Sequence, residues 1–545
     1  MRLQEEAFCL FYRRTVRLFF ALAVSWLFVS SLVVTNYVVD GPLCDEVCRL
    51  CPDTTLLQCS FFSLLCLILF FFTGFRSVKL PQNMRNQSVK RLALILLGGL
   101  LAGFWVLTLR PVPRADALSV QTAASDLSAG QLYLFQPGEY MYVYPHQSGL
   151  LLLHLLLQKI NPDTTLPFQF LNVFCYMGIL YLLGELAEEL GLGSSGCLAA
   201  TCIGIVFLPL LLYVTFVYGT IPGLCFSLAS LVLSIRFCRD AKWYQAVLTV
   251  LFLFLAVLIK SNYQIFAIGL LLYVLYNSLQ NKRHCWGLLV MLLPIIPLAG
   301  KLPIFILEKW TGCSLHNGIS AISWLAMGLR TGGPRGPGWY DEYTLTTYFS
   351  ANLDPKAQSA VALDCISGIF QGYLMDPKSM VRFFVSKNAT QWSDPLFQGI
   401  WLNRVMQRVS DTAVPQWVDH FLRLDGPNLL SSVFNLLQTL VYGGLVLWAW
   451  MPTNETRKSQ EDLLAVILVG GFVFHTFWEA KSQYTLPYYV LIFPLALLGY
   501  RRLSLLQQDP NAKLLWKPIT GKLRFLMPVL LMLLALLSQV FWQPH

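Results

Sequence analysis

A carboxylate stands at Asp116 in the run Pro113-Arg114-Ala115-Asp116, directly after an apolar stretch and at the start of residues with helical spacing. In that place it can take the proton of a hydroxyl while the hydroxyl attacks a carbon. It can equally cap the helix that follows, a common role for Asp. Glu139 is the other acid of this segment, able to share the proton transfer or to bind an acceptor. Lys260, Arg330 and Lys481, in three separate segments, can neutralise an anion such as a departing phosphate. Lys260 closes an otherwise apolar run, where snorkelling of the ammonium towards lipid headgroups is the plain alternative. In Tyr144-Pro145-His146-Gln147-Ser148-Gly149, His146 can donate a hydrogen bond to a phosphate or a sugar, or serve the local structure, and Gln147 lies beside it. Tyr144, Trp339, Tyr340 and Trp392 offer ring faces for stacking, although Trp and Tyr crowd membrane interfaces in general. Glu479 and Lys481 can pair with each other.

These groups must be positioned by a very apolar chain. Of 545 residues, 56% are hydrophobic and 12% charged, against about a quarter charged in a soluble domain. Apolar runs near membrane-crossing length recur from end to end. The first is too long for a signal-peptide core and is expected to remain as a helix. The excess of 39 Lys+Arg over 29 Asp+Glu is the pattern of loop-anchoring charges rather than a nucleic-acid footprint. Basic patches at 13–17, 76–91, 236–242, 282–283, 457–458 and 501–524 all fall on one side if spans lie near 18–38, 57–74, 92–109, 167–187, 197–215, 220–236, 243–260, 263–280, 286–306, 431–450, 462–478, 482–500 and 525–542. The fold class expected is an all-α polytopic membrane protein of about thirteen transmembrane helices, with the N-terminus inside. Two long segments, 110–166 and 307–430, then face outside, and long connections usually carry function. Within the first, 117–129 and 149–160 read as short helices lying in the interface. Of the 14 cysteines, several sit in apolar runs as small hydrophobes. The group Cys44, Cys48, Cys51 and Cys59 lacks a second zinc knuckle. A disulfide there, or between Cys313 and Cys365, is expected if those loops are extracytoplasmic.

Interfacial helices after an early span, a polar Pro motif between them and a large outer loop late in the chain form a plan that resembles the GT-C class of membrane glycosyltransferases. That class includes the protein O-mannosyltransferases and the aminoarabinose transferases. The resemblance covers roughly 92–500. Asp116 stands where the class keeps its acidic catalytic residue, with Ala117 where many members have a second acid. Tyr144-Pro145-His146-Gln147 occupies the place of a His-Pro-Pro-Leu-type motif. Gly336-Pro337-Gly338-Trp339-Tyr340 and Trp392-Ser393-Asp394-Pro395 look like outer-loop motifs of bacterial members. Glu479-Ala480-Lys481-Ser482-Gln483-Tyr484 looks like Glu-Ala-Lys-x-Arg-Tyr, with Gln483 in place of the Arg and Tyr484 retained. The resemblance implies a donor sugar carried on a polyprenyl phosphate and an active site at the outer leaflet, with residues 1–91 an addition to a core of 92–306, an outer loop of 307–430 and C-terminal spans in 431–545.

The chain carries no Walker A loop, no Gly-x-Gly-x-x-Gly before a helix, no His-Glu-x-x-His and no Gly-x-Ser-x-Gly. Without a cytosolic nucleotide site, a sugar nucleotide is not the expected direct donor. No cofactor is certain, and a divalent metal is possible without support from the residues. Expected partners are membrane lipids, the polyprenyl-phosphate sugar and an acceptor that is a glycan, lipid or protein. The competing reading is a transporter or flippase of lipid-linked glycans. Transporters place polar residues in mid-span, whereas here they gather at span ends. Asn388-Ala389-Thr390 is a formal glycosylation sequon.

Overall fold

The computed structural model describes residues 2–508 except 42–45, 54–83, 281–283, 316–317, 332, 334, 411–412, 425 and 452–457. The expected spans 57–74 and 525–542, and Cys44 and Cys59, lie outside the described residues. Among the described residues, seven helices are long and apolar enough to cross a membrane, or eight if one bent pair is a single span. They include Arg2–Val33, Met84–Leu109, Thr165–Glu189, Thr220–Asp240, Leu429–Trp450 and Ser459–Phe477. This is compatible with an integral membrane protein. Met84–Leu109 turns Leu96, Leu97, Leu100, Leu101, Phe104 and Leu107 outwards, a surface that water disfavours and lipid accepts.

Proline shapes several of these elements. The run at 197–215 is not straight: Gly193–Val206 and Leu208–Thr215 meet at 61° beside Pro209. The run at 286–306 breaks between His284–Leu292 and Ile295–Thr311 at Pro294. The run at 482–500 divides into Ser482–Leu491 and Phe493–Gln508. A ring in place of an N–H removes a helix hydrogen bond and crowds the preceding turn, which accounts for the 61° bend beside Pro209.

One correction concerns the expected first span, 18–38, within a chain whose other described elements are helical as expected. The helix ends at Val33, and Val34–Asp40 (β1) pairs antiparallel with Glu46–Pro52 (β2), with Val34 opposite Pro52 and Asp40 opposite Glu46. Val34, Thr35, Tyr37, Val38 and Val39 are strand formers, and the partner strand outcompetes helix continuation. The hairpin is tied to the rest of the chain. Asn36 N donates to Ser393 O at 2.8 Å, Cys48 N donates to Arg335 O at 2.8 Å, and Asp40 is held by Arg404 and Arg408. Phe20 meets Trp448 edge-on at 5.0 Å. The described part of 1–91 packs into the common core through Val16, Phe20, Val24, Leu27 and Val38.

Segment 110–166 contains Ala115–Ser128 and Ser148–Leu157, close to the two short helices expected. Segment 307–430 is helical and sends Trp392, Phe397, Trp401 and Val405 into the main core. The Asn388 sequon is buried, with Thr390. Cys313 and Cys365 are both free thiols, which corrects the disulfide expectation.

The charges sort to the two ends of the helices. At one end Arg13 and Arg17 pair with Asp462, Arg91 and Arg236 share Glu185, Arg236 and Arg239 share Glu189, and Arg501 donates to Gly191 O. At the other end lie Asp116, Lys260, Glu479 and Lys481. Arg502 and Glu461 form a buried pair, with Trp448 Nε1 also donating to Glu461. Removing one partner leaves an uncompensated buried charge. Arg502→Leu should therefore cost about 3–5 kcal/mol of stability, while Arg502→Leu with Glu461→Leu recovers most of it. Thermal unfolding of the three proteins in detergent checks this; equal losses in single and double variants would refute the pairing.

Candidate functional site

Asp116 owes its position to a sharp entry. Arg110 and Ala115 both have positive φ, 43° and 49°, a conformation that costs an L-residue about 1–2 kcal/mol. The strained turn throws the chain from Met84–Leu109 into Ala115–Ser128. Arg114, not Asp116, occupies the cap position, and Asp116 lies in the first turn, where the helix dipole favours a negative charge. The carboxylate is exposed and accepts a hydrogen bond from the Tyr218 hydroxyl at 3.3 Å.

Residues remote in sequence converge on this carboxylate. Gln147 Nε2 donates to Tyr218 Oη at 2.5 Å. Lys260 Nζ sits 4.3 Å from the centroid of the Tyr218 ring, a cation–π contact, and donates to Thr220 Oγ1 at 3.2 Å. Gly219 makes that corner possible: its φ is 74°, and a Cβ there would stand 2.6 Å from Ile259 Cγ2. Lys260 also lies 5.8 Å from the Tyr484 ring centroid, and the Tyr484 hydroxyl donates to Glu479 Oε2 at 3.4 Å. Lys481 Nζ is 2.7 Å from Glu46 Oε1 on β2. Tyr140, Tyr144, His146 and Tyr340 all feel the charge of Asp116. Beside the centre a small hollow is lined by Thr220, Lys260, Asn262, Gln483, Tyr484 and Tyr488.

Burial sets the protonation states. It pushes the Glu479 carboxyl up to about 7; Lys481 opposes the shift, and Asp116 and Glu46 reinforce it. His146 is exposed, with its ring edge-on to Tyr144 and Trp324. Desolvation by the neighbouring protein lowers its pKa, against the charge of Asp116, which raises it; this favours the neutral ring, which can donate or accept.

Of the residues singled out from sequence, the structure brings together Asp116, Tyr144, His146, Gln147, Lys260, Tyr340, Glu479, Lys481 and Tyr484. Four fall elsewhere. Arg330 pairs with Asp341 at 2.7 Å and lies over Tyr343, so its charge is spent within its own loop. Trp339 is buried, with Nε1 donating to Thr390 Oγ1 at 3.0 Å, and has no free face for stacking. Glu139 stands at the N-cap position of the short helix Tyr140–Val143 without a side-chain capping bond, and acts instead on the exposed Tyr133 hydroxyl. Trp392 is likewise buried.

The outer-segment motifs act as anchors. Gly338 has φ 73°, and its O accepts from Ala480 N at 2.8 Å, which docks the strand-like stretch carrying Glu479 and Lys481. Asp394 accepts from Ser482 Oγ at 2.6 Å and from the N–H groups of Leu396 and Gln398 at 3.0 Å each. Lys387 donates to Gly328 O and Trp478 O, clamping two helix ends. Sequence reasoning missed Glu46, Tyr140 and Lys387. Glu46 lies in a short Cys-bearing connection whose reach depends on strand register, and nothing local signals it. Lys387, in the run Phe383-Phe384-Val385-Ser386-Lys387, offered a signal: a lone cation on a stretch that packs inward. Among the described residues no cluster of three or more His, Cys, Asp or Glu is close enough to hold a metal ion.

No protein-family model matches this chain, and a sequence comparison with characterised proteins finds no match.

The Glu479 shift has a stability consequence. A carboxyl whose folded pKa is raised above its ordinary 4.5 contributes stability that is fully present below the ordinary value and is lost as pH rises through about 7. Relative to Glu479→Gln, the native protein should therefore lose thermal stability between about pH 5 and pH 8. Melting curves of both proteins across that range test it; parallel curves would contradict the assignment.

Proposed function

We propose that this protein is a GT-C-type membrane glycosyltransferase, moving a sugar from a polyprenyl-phosphate donor to an acceptor hydroxyl at the outer face of the membrane. The observation that carries the reading is one carboxylate, Asp116, open to solvent at the centre of a ring of tyrosines and flanked by Lys260 and Lys481. In this reading the basic end of the helix bundle is cytoplasmic, the chain crosses about thirteen times, and the Asp116 end faces out. Plasma membrane is the compartment proposed.

The chemistry follows from the groups present. Asp116 takes the proton of the acceptor hydroxyl as its oxygen attacks the anomeric carbon. The bond between that carbon and the phosphate oxygen breaks, and the oxygen keeps the electron pair. Lys260 and Lys481 neutralise the charge that grows there. A single carboxylate base is sufficient for inversion at the anomeric centre. Tyr144 and Tyr340 line the sugar, with His146 and Gln147 as neutral hydrogen-bonding partners.

Asp116→Asn keeps shape and most hydrogen bonding but removes the proton acceptor. Turnover from a synthetic prenyl-phosphate sugar should fall by about 10²–10⁴-fold, with donor affinity and thermal stability little changed. Near-normal turnover in a folded Asp116→Asn protein would sink the catalytic role. Transfer from a sugar nucleotide alone, in lipid-free detergent, would sink the donor assignment.

Sidedness is tested separately. Gln131 is exposed in the loop after Ala115–Ser128. A cysteine at that position should react with a membrane-impermeant thiol reagent in intact cells, above the background of the native cysteines. Labelling only after permeabilisation would reverse the orientation.

A further inference from the structure

Glu46 reaches the site from the opposite end of the sequence. The β1–β2 hairpin holds it in place through the Asn36 and Cys48 backbone bonds and through Asp40, its partner across the ladder. Its side chain is 11% exposed and stands 2.7 Å from Lys481 Nζ. Burial alone would push the Glu46 carboxyl up, but Lys481, then Arg335 and Arg114, hold it below its ordinary value. Burial alone would lower the Lys481 ammonium, but Glu46 and then Glu479 raise it. Both partners are therefore charged, and the lysine best placed to receive an anion already has one.

We infer that Glu46 is a built-in competitor for the anion that Lys481 receives, and that it favours departure of the spent lipid phosphate over retention. The inference rests on the transferase reading above. A donor in which the sugar is esterified to a lipid phosphate is a phosphodiester with one negative charge. When the bond from the anomeric carbon to oxygen breaks, the lipid leaves as a phosphate monoester whose second ionisation lies at about 6. The reaction thus adds charge to the ligand at the place where cations wait. Cations alone would bind product more tightly than donor, and slow product release limits turnover in many enzymes. A fixed carboxylate on the same lysine repels the added charge and offers the ammonium an alternative partner. Discrimination between two ligands is a difference of affinities, and a repulsive element supplies it as well as an attractive one.

The test uses the purified full-length protein in detergent with two probes, a short-chain prenyl phosphate monoester and its methyl phosphodiester. Affinities are read by isothermal titration for the native protein, Glu46→Gln and Glu46→Asp. The native and Asp proteins should bind the two probes within about tenfold of each other. Glu46→Gln should shift the ratio towards the monoester by about ten- to a hundredfold, the range commanded by a hydrogen bond to a charged group. An unchanged ratio in Glu46→Gln, or equal weakening of both probes, overturns the inference and leaves the transferase reading standing. A native protein that prefers the monoester by well over about tenfold overturns it without any variant, so the question survives a Gln protein that fails to fold. Binding of neither probe to the native protein sinks the lipid-phosphate reading and this inference together.

Discussion

Charge cannot rest in the apolar middle of this helix bundle without a partner, and that constraint organises the molecule. Taking an ion from water into a low-dielectric interior costs several kcal/mol even after relaxation. The long apolar helices therefore carry their charges at their ends. Arginines and acids pair at one end, as in the chain Arg91, Glu185, Arg236 and Glu189. The other end is left with a smaller set, drawn together from distant segments. A site rich in buried ionisable groups follows from this sorting.

The second end is built by elements that are not spans. The strained entry at Arg110 and Ala115 aims Asp116. The corner at Gly219 aims Tyr218 and lets Lys260 approach it. The segment between Thr311 and Leu429 contributes few groups to the centre, yet it fixes the position of those that matter. Lys387, Gly338 and Asp394 hold the 478–482 stretch by its backbone and by Ser482. Most of the polar groups around the centre are tied to a neighbour, which is the condition for presenting charges at fixed separations.

Electrostatic balance distinguishes this arrangement from a simple cation trap. Asp116 and Glu479 act on both Lys260 and Lys481, and Glu46 acts on Lys481 and Glu479. Glu479 is poised near neutrality, whereas Glu46 is held ionised. Around this centre neither sign of charge dominates.

The sequence by itself determined the helical class, the apolar runs and the short helices of the 110–166 segment. These are local properties: each depends on composition, periodicity or charge within about 20 residues. It also singled out most of the residues around Asp116, because polar groups at span ends in so apolar a chain are few. Tertiary structure decided what depended on partners far along the chain. Val34–Asp40 is rich in strand formers, but it is a strand because Glu46–Pro52 pairs with it. Arg330 and Trp339 have the right chemistry but are occupied by Asp341 and Thr390. Glu46 has no motif, and only the register of a hairpin held against the outer segment brings its carboxylate to Lys481. Residue type tells what a side chain can do, and packing tells which partner takes it, since a buried polar group must be satisfied by whatever the fold places beside it.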